Sequence, residues 1–238
     1  MEKKKITEIK KGEEGHGLLI EHDGYISIDC GNNKKLFESF KSDTKNENSF
    51  YCPNPFIVDA VFQKYGIENA NGRIYPETIL KREVEKYQLK IKERRAIGEC
   101  NHPSESVIDL SRVAINIVEL HWEGRTLVGK MEILVSEGYR RNGIISCEGD
   151  QVAHLLLNGI KIGVSSSGLG SVTNKMGILY VGDDFELVCW DVVSDPSTPG
   201  AFIGNEKEEI QQYVENHIND TKTTLIEKLE KFNNWLND

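Results

Sequence analysis

The stretch "KIGVSSSGLGSV", residues 161–172, carries three consecutive serines inside an apolar, glycine-punctuated segment. Its β-branched and small residues predict a strand, and side chains alternate between the two faces of a strand. Ser165 and Ser167 therefore share one face, and Ser166 points to the other. Two interpretations are open. The serines belong to an edge strand or a tight turn, or one of them is a nucleophile and the glycines let a substrate backbone come close.

The composition predicts a soluble globular protein with one large domain. The chain has 238 residues, 38% hydrophobic and 28% charged, which allows a sizeable core. Its net charge of −9 argues against nonspecific nucleic-acid binding, which needs a basic surface. No run of about 18 apolar residues and no signal-peptide core occurs, so we expect no membrane association. The five cysteines are scattered without a Cys-x-x-Cys pair, which indicates reduced thiols in a cytosolic compartment.

The pattern along the chain predicts an α+β domain over 1–204 and a helical C-terminal extension over 205–238. Amphipathic helical spacing without strand signals marks the extension. In chain order the domain is predicted to contain a hairpin within 1–37, a surface loop over 38–55, a strand from 56, a helix from 76, a hairpin over 112–134, a short helix over 149–160, the serine strand, and a strand pair over 177–193.

A serine attacks a carbonyl efficiently only when a base takes its proton. Among the six histidines, His102 stands out because it precedes a proline at the junction of an element and a loop, in "GECNHPSES". Cys100 and His102 are two metal-type ligands only, so no zinc site or other cofactor is expected. The serine stretch also lacks the second glycine of an esterase elbow, because Ser167 stands in its place. The other histidines are interpreted as surface or boundary residues: His16, His22, His121, His154 and His217.

Three segments, in order, carry a resemblance to a known family. "NANGRIYPETIL", "AIGECNHP" and "GVSSSGLGSV" resemble the N-x-N-x-R-x-Y-P, G-E-L-N-H-P and G-V-S-S-R-G-L-G-S motifs of the prohead core proteases of T-even-type phages. The resemblance covers roughly residues 56–202. It implies a barrel-like, mostly antiparallel β-sheet flanked by helices, similar to herpesvirus assembly proteases. It also implies a serine endopeptidase that cuts scaffold or core proteins and the major capsid protein, inside the prohead in the host cytoplasm.

The resemblance also implies site residues. It makes His102 the general base and Ser165 the nucleophile, with Ser166 as the alternative if the alignment slips by one residue. Ser167 departs from the family, which has arginine there. Asp191 is the first choice for the residue that orients the imidazole, because its strand can lie beside that of Ser165.

Several assignments stay open at this point. Asp109 is the alternative to Asp191. Gly168 and Gly170 either present backbone N–H groups to the substrate carbonyl or relieve crowding in the sheet. Residues 71–76 are expected to form a structural corner, with a substrate-binding role for Arg73 as the alternative.

Substrate preference follows from the resemblance too. The family cuts after glutamate, with an aliphatic residue two positions earlier, and "IGE" at 97–99 and "LIE" at 225–227 fit that pattern. We expect self-cleavage near Glu227 to release the helical tail. A competing interpretation is an inactive capsid or scaffold-binding protein on the same fold, and a third is a general esterase. The oligomeric state is open and includes a homo-oligomer.

Overall fold

The computed structural model describes residues 6–21, 52–102, 107–201 and 203. These residues form two β-sheets and a few helices, and none of those helices is long and apolar enough to span a membrane. The predicted C-terminal helices, over 205–238, lie outside the described residues. The elements are, in chain order, β1 (Gly15–Ile20), β2 (Phe56–Lys64), β3 (Arg73–Ile74), α1 (Glu77–Lys92), β4 (Ile97–Glu99), a 3₁₀ turn (Leu110–Arg112), β5 (Val113–Glu123), β6 (Thr126–Ile133), α2 (Glu137–Asn142), α3 (Glu148–Leu157), β7 (Gly163–Lys175), β8 (Ile178–Val181) and β9 (Glu186–Val193).

The serine strand β7 is the centre of the first sheet. It pairs with β1, β8 and β9 in antiparallel fashion, and the short β3 adds to β8 in parallel. Small residues along β7 let its neighbours approach closely. A Cβ at Gly168 would lie 2.4 Å from the Phe185 ring, and one at Gly170 would lie 2.9 Å from Phe185 Cα. The fold therefore leaves no room for a side chain at Gly168 or Gly170, which agrees with the interpretation that these glycines relieve crowding.

The second sheet has the order β2-β6-β5-β4. Its centre is the predicted hairpin β5–β6, which turns at Gly124, where a φ of +56° favours glycine. The short β4 connects this sheet to the first. It pairs with β5, and a Cβ at Gly98 would lie only 2.0 Å from the carbonyl oxygen of Trp190 in β9, so this close approach requires glycine.

The core fills the space between the two sheets and α1. Trp190 of β9 packs edge-on against Phe62 of β2 and Tyr87 of α1, with ring centroids 5.6 and 4.9 Å apart. Helix α1 follows Pro76 and buries the face that carries Ile79, Leu80, Val84 and Tyr87. Burying each large side chain stabilises the fold by about 1.5–3 kcal/mol. This core fixes β9 and β4, the two strands that hold the residues of the candidate site.

The structure confirms the α+β class with mostly antiparallel strands and corrects two details. The sheets do not close into a barrel, because in the described residues no ladder joins the strands of one sheet to those of the other, and backbone pairing between β4 and β9 is limited to an isolated bridge between Cys100 and Val192. The predicted hairpin partner of β1 falls in 22–37, outside the described residues, so the hairpin stays a prediction; β1 also pairs with β7. Three short elements, β3, β4 and α2, were not predicted. They are too short for periodicity to reveal them, and β4 depends on its pairing with β5.

Candidate active site

His102 is held at the end of β4 by its backbone surroundings. Asn101 adopts the left-handed conformation with a φ of +64°, which asparagine tolerates better than most residues. Its N–H donates to the carbonyl of Val192 at 2.8 Å, and Arg112 donates to the carbonyl of Cys100 at 2.8 Å. The two residues before His102 are thus tied to β9 and to the 3₁₀ turn, and the imidazole is directed at β9.

The imidazole of His102 contacts Asp191, the first choice from the sequence. Nδ1 lies 2.9 Å from Asp191 Oδ2, and the backbone N–H of Glu99 donates to Asp191 Oδ1 at 2.9 Å. Both side chains are buried, at 6% and 0% exposure. Asp109, the alternative, is exposed and accepts the N–H of Ser111 at 2.9 Å, capping the 3₁₀ turn. The structure therefore brings Asp191, and not Asp109, to His102.

Ser165 lies directly opposite Asp191 in the β7–β9 ladder. Its hydroxyl donates to the backbone carbonyl of Glu21 at 2.8 Å, and Nε2 of His102 lies 3.2 Å from the same oxygen. The hydroxyl and the imidazole are therefore neighbours across one peptide carbonyl. Ser165 is 1% exposed, so in this state the site is covered.

The other two serines of the triplet have different surroundings. Ser167 shares the face of Ser165 and donates to Asp191 Oδ2 at 3.3 Å. Ser166 points to the opposite face, where its side chain hydrogen-bonds Tyr75. The alternation predicted for the strand is thus the observed one, and only Ser165 contacts a peptide carbonyl that His102 also contacts.

The carboxylate of Glu21 is buried in a polar pocket. The two amide groups are closest, with Asn69 Nδ2 and Asn71 Nδ2 at 2.6 and 2.7 Å from Oε2. Arg73 Nη1 lies 3.3 Å from Oε1, and the Tyr75 hydroxyl donates to the same oxygen. Burial, and then the charge of Glu21, raise the pKa of Tyr75 well above its ordinary value, so Tyr75 keeps its proton and acts as a donor. We call this set of five side chains the glutamate pocket: Asn69, Asn71, Arg73, Tyr75 and Ser197.

The backbone of residues 69–75 folds to aim these donors inward. The side-chain oxygen of Asn69 accepts the N–H groups of Asn71 and Arg73, each at 3.0 Å, which closes a tight turn. Gly72 within that turn has a φ of +75°. The segment is therefore the structural corner expected from the sequence, and it is also a carboxylate pocket. Arg73 takes part in that pocket, and the substrate-binding role left open for it stays a prediction.

Glu21 follows β1, which lies on β7 as an added antiparallel strand. Leu19 faces Gly168, Ile20 faces Ser167, and the N–H of Glu21 donates to the carbonyl of Ser166 at 3.4 Å. The motifs in the sequence did not point to Glu21 or Ser197. A signal for Glu21 was present, because residues 19–21 read "LIE", the same three letters as 225–227.

The other histidines take no part in this site. His16 lies on the surface near Asp184, His121 lies near two glutamates on β5, and His154 packs against Tyr139. His22 and His217 are outside the described residues. Within the described ranges, no cluster of three or more His, Cys, Asp or Glu residues could hold a metal ion.

Comparison with known proteins identifies the family. The model of the family described as prohead core protein serine protease matches residues 18–212, a stretch that contains Glu21, His102, Ser165 and Asp191. The chain belongs to this family. The prohead core protein protease of Enterobacteria phage T4 is 30% identical over 179 residues, which cover 73% of this chain and 81% of that protein.

A solved structure of a prohead protease also resembles this chain. The structure of the bacteriophage T4 capsid assembly protease, gp21, superposes with a TM-score of 0.54 and 25% identity. The match covers 74% of this chain and 96% of that one. The family resemblance read from the three sequence motifs is confirmed, and the chain is a protease of the phage prohead type.

Proposed function

We propose that the chain is a serine endopeptidase of prohead maturation in which Ser165 is the nucleophile, His102 the general base and Asp191 the residue that orients His102. One observation carries the proposal. The Ser165 hydroxyl and His102 Nε2 both lie within 3.2 Å of the Glu21 carbonyl oxygen, while His102 Nδ1 contacts Asp191. A hydroxyl, an imidazole and a carboxylate thus lie in series at one peptide carbonyl, in the order that the serine mechanism uses.

The reaction follows from the positions of the protons. With Nδ1–H donating to Asp191, Nε2 takes the proton of Ser165 as Oγ attacks the scissile carbonyl carbon. The C–N bond then breaks, the proton passes from His102 to the leaving amine, and the acyl group stays on Ser165. Water enters by the same route, hydrolyses the ester and returns a proton to Ser165. Asp191 remains ionised throughout and keeps the imidazole in one orientation.

The glutamate pocket supports cleavage after glutamate. A buried carboxylate needs several donors to offset its lost hydration. Here it receives two amides, a hydroxyl, a phenol and a guanidinium. A glutamine side chain would place its NH₂ group against these donors, and an aspartate would fall short of them. The aliphatic residue expected two positions earlier corresponds to Leu19, which is fully buried.

Glu21 in the pocket also supports self-cleavage, at the Glu21–His22 bond. Residues 15–21 have the features of a bound substrate: an added strand on β7, a buried aliphatic side chain and a glutamate whose carbonyl meets Ser165. In this state the segment both blocks the site and presents a bond to it. Cutting that bond would separate residues 1–21 from the rest of the chain and open the site to other substrates.

The two cleavage positions considered from sequence are the bonds after Glu99 and after Glu227, and the structure describes only the first of them. Glu99 has a fully buried side chain in β4, and its carboxylate accepts the N–H of Asp109 at 2.6 Å, so the folded protein does not offer that bond. Glu227 lies outside the described residues, and cleavage there stays a prediction.

The proposed substrates are the phage scaffold or core proteins and the major capsid protein, inside the prohead in the host cytoplasm. The names of the family and of its T4 members support this assignment. Likeness to herpesvirus assembly proteases stays a prediction. An inactive scaffold-binding protein is the alternative function. The contact of His102 with Asp191, and of both His102 and Ser165 with the Glu21 carbonyl oxygen, favours the enzyme.

Intact-mass measurement and N-terminal sequencing of the full chain test the proposal. We expect the wild-type chain to yield a fragment that begins at His22, and Ser165→Ala to stay uncut at that bond. Ser171→Ala, a serine on the same strand outside the site, is the control and should be cut like the wild type.

Each other outcome has a definite meaning. Cutting of Ser165→Ala at the wild-type rate would overturn the catalytic assignment. An uncut wild-type chain that also fails to cleave an added peptide containing Leu-Ile-Glu would favour the inactive scaffold-binding protein. Hydrolysis of small esters without peptide cleavage would favour the esterase.

A further inference from the structure

The carboxylate of Asp191 has two partners besides His102 and the Glu99 backbone. Ser167 Oγ lies 3.3 Å from Oδ2, and Cys189 Sγ lies 3.3 Å from Oδ1. The two partners also touch each other, with Oγ and Sγ 3.1 Å apart. Ser167 and Cys189 face each other in the β7–β9 ladder and are almost completely buried.

The direction of these hydrogen bonds follows from the chemistry of the groups. Burial, and then the nearby charge of Asp191, raise the pKa of the Cys189 thiol well above its ordinary value, so sulfur keeps its hydrogen. An ionised carboxylate only accepts hydrogen bonds. Ser167 therefore donates its hydrogen to Oδ2, the oxygen that also lies 2.9 Å from His102 Nδ1. Cys189 donates its hydrogen either to Oδ1 or to the Ser167 oxygen.

The position of Ser167 matters because the rotation of a carboxylate about its last bond is soft and roughly two-fold. His102 alone would fix one oxygen through a single contact. Ser167 approaches the same oxygen from β7, while Glu99 N–H and Cys189 approach the other. In only one orientation of the Asp191 carboxylate do all of these donors hydrogen-bond to one of its two oxygens.

We propose that Ser167 is a positioning residue, whose hydroxyl, supported by Cys189, holds the carboxylate of Asp191 in the orientation that receives His102. This inference rests on the proposed serine mechanism and extends it to a position where the related motif has arginine. The strand pairing of Ser167 with Ile20 does not need the hydroxyl, and the hydroxyl contacts neither the Glu21 carbonyl nor the glutamate pocket in the described contacts, so its loss should affect turnover and not substrate binding.

Kinetics of three full-length variants test the inference. After self-cleavage is complete, Ser167→Ala should cleave a Leu-Ile-Glu peptide with kcat lowered about tenfold, because small displacements of catalytic groups are costly. KM should stay within about twofold. Ser167→Thr, which keeps a hydroxyl, should recover most of kcat. Ser171→Ala removes a comparable serine-to-aspartate hydrogen bond of 2.7 Å, to Asp184, at the far end of β7, and should behave like the wild type.

A spectroscopic measurement covers the case in which the threonine variant does not fold. In the uncut Ser165→Ala background, the His102 Nδ1 proton, hydrogen-bonded to Asp191, should give a downfield NMR signal. Adding Ser167→Ala should shift or broaden that signal, and adding Ser171→Ala should not. Equal signals and equal kcat for Ser167→Ala and Ser171→Ala would overturn the positioning role while leaving the mechanism intact. Activity retained by Ser165→Ala would overturn the mechanism itself.

Discussion

Asp191 and Asp150 are both completely buried aspartates that accept several hydrogen bonds. Asp150 receives the backbone N–H and hydroxyl groups of Ser136 and Ser146, at 2.7 to 2.9 Å. It thereby joins the start of α2 to the start of α3. Asp191 receives the Glu99 N–H, two neutral side chains and His102.

The two sites differ in what their partners can do. The partners of Asp150 are amides and hydroxyls from nearby in the chain, and none of them takes up a proton near neutral pH. Asp191 contacts a histidine from a distant segment, whose other nitrogen lies at a peptide carbonyl beside Ser165. A buried aspartate rich in hydrogen bonds is therefore not in itself a sign of catalysis. The distinguishing feature is a titratable partner that connects the aspartate to a peptide carbonyl beside a serine.

The largest expected effect separates the two aspartates directly. Asp191→Asn should lower kcat by about ten-thousandfold, because an amide holds the imidazole in the wrong tautomer. Both asparagine variants lose a buried ionised acceptor and should unfold at a lower temperature, but only Asp191→Asn should lower kcat. Peptide cleavage rates and unfolding curves for both asparagine variants provide the measurement. If Asp150→Asn lowered the activity per folded molecule as much as Asp191→Asn, the proposed difference between a structural Asp150 and a catalytic Asp191 would be wrong.

A third buried carboxylate, that of Glu21, extends the comparison to specificity. Replacing glutamate by glutamine in a Leu-Ile-Glu peptide should lower kcat/KM by about a hundredfold, because buried charge-assisted hydrogen bonds are lost and one NH₂ group faces other donors. A peptide with leucine changed to isoleucine, two positions earlier, serves as the control. Equal cleavage of the glutamate and glutamine peptides would show that the pocket does not select the substrate.

Asp150→Asn should affect stability and not turnover. Loss of the ionised acceptor for Ser136 and Ser146 should lower the free energy of unfolding by about 2 kcal/mol. For a chain of this size that corresponds to an unfolding temperature lower by roughly 6 °C. Calorimetry and peptide cleavage, corrected for the folded fraction, check both parts. An unchanged unfolding temperature would mean that the joint between α2 and α3 is not stabilising.

The effect of Asp150 should also depend on pH. Burial acts to raise the pKa of Asp150, but the hydrogen bonds from Ser136 and Ser146 outweigh it and lower the pKa from 3.8 to about 2. The stabilisation is therefore complete above the ordinary pKa and disappears as the pH falls toward about 2. Unfolding temperatures of wild type and Asp150→Asn should converge over that range. A constant difference between the two would contradict the lowered pKa.

The smallest effect on activity is expected at Asp109. Asp109→Ala removes a cap from the 3₁₀ turn and should cost about 1 kcal/mol of stability. Peptide cleavage should stay within about twofold of wild type, because Asp109 does not contact His102 in the described structure. A loss of activity comparable with that of Asp191→Asn would return Asp109 to the catalytic role that the sequence left open.

Local patterns predicted much of this fold. Residues that alternate around Gly124 identify the β5–β6 hairpin, and apolar spacing after Pro76 identifies α1, because both depend on neighbours in sequence. Whether the two sheets close into a barrel depends on contacts between residues far apart in sequence. The expectation of a barrel was wrong for that reason. β4 has only three residues, and its strand conformation depends on β5 and on the backbone of Trp190.

The candidate site shows the same division. Motifs in sequence brought attention to His102, Ser165 and Asp191, and alternation separated Ser165 from Ser166. The position of Glu21 could not be predicted, since it depends on β1 pairing with a strand far along the chain. The glutamate pocket likewise became visible only when residues 69–75 and Ser197 were seen around one carboxylate. A role for Ser167 follows from its distance to Asp191, which no sequence pattern gives.

Active-site labelling tests the central assignment most directly. The self-cleaved chain would be treated with a fluorophosphonate, which forms a stable bond to an activated serine, and the modified residue would be located by peptide mass spectrometry. We predict a single label on Ser165, abolished by His102→Ala and strongly reduced by Asp191→Asn. Labelling of Ser166 or Ser167 instead, or labelling of Ser165 that does not depend on His102, would contradict the account.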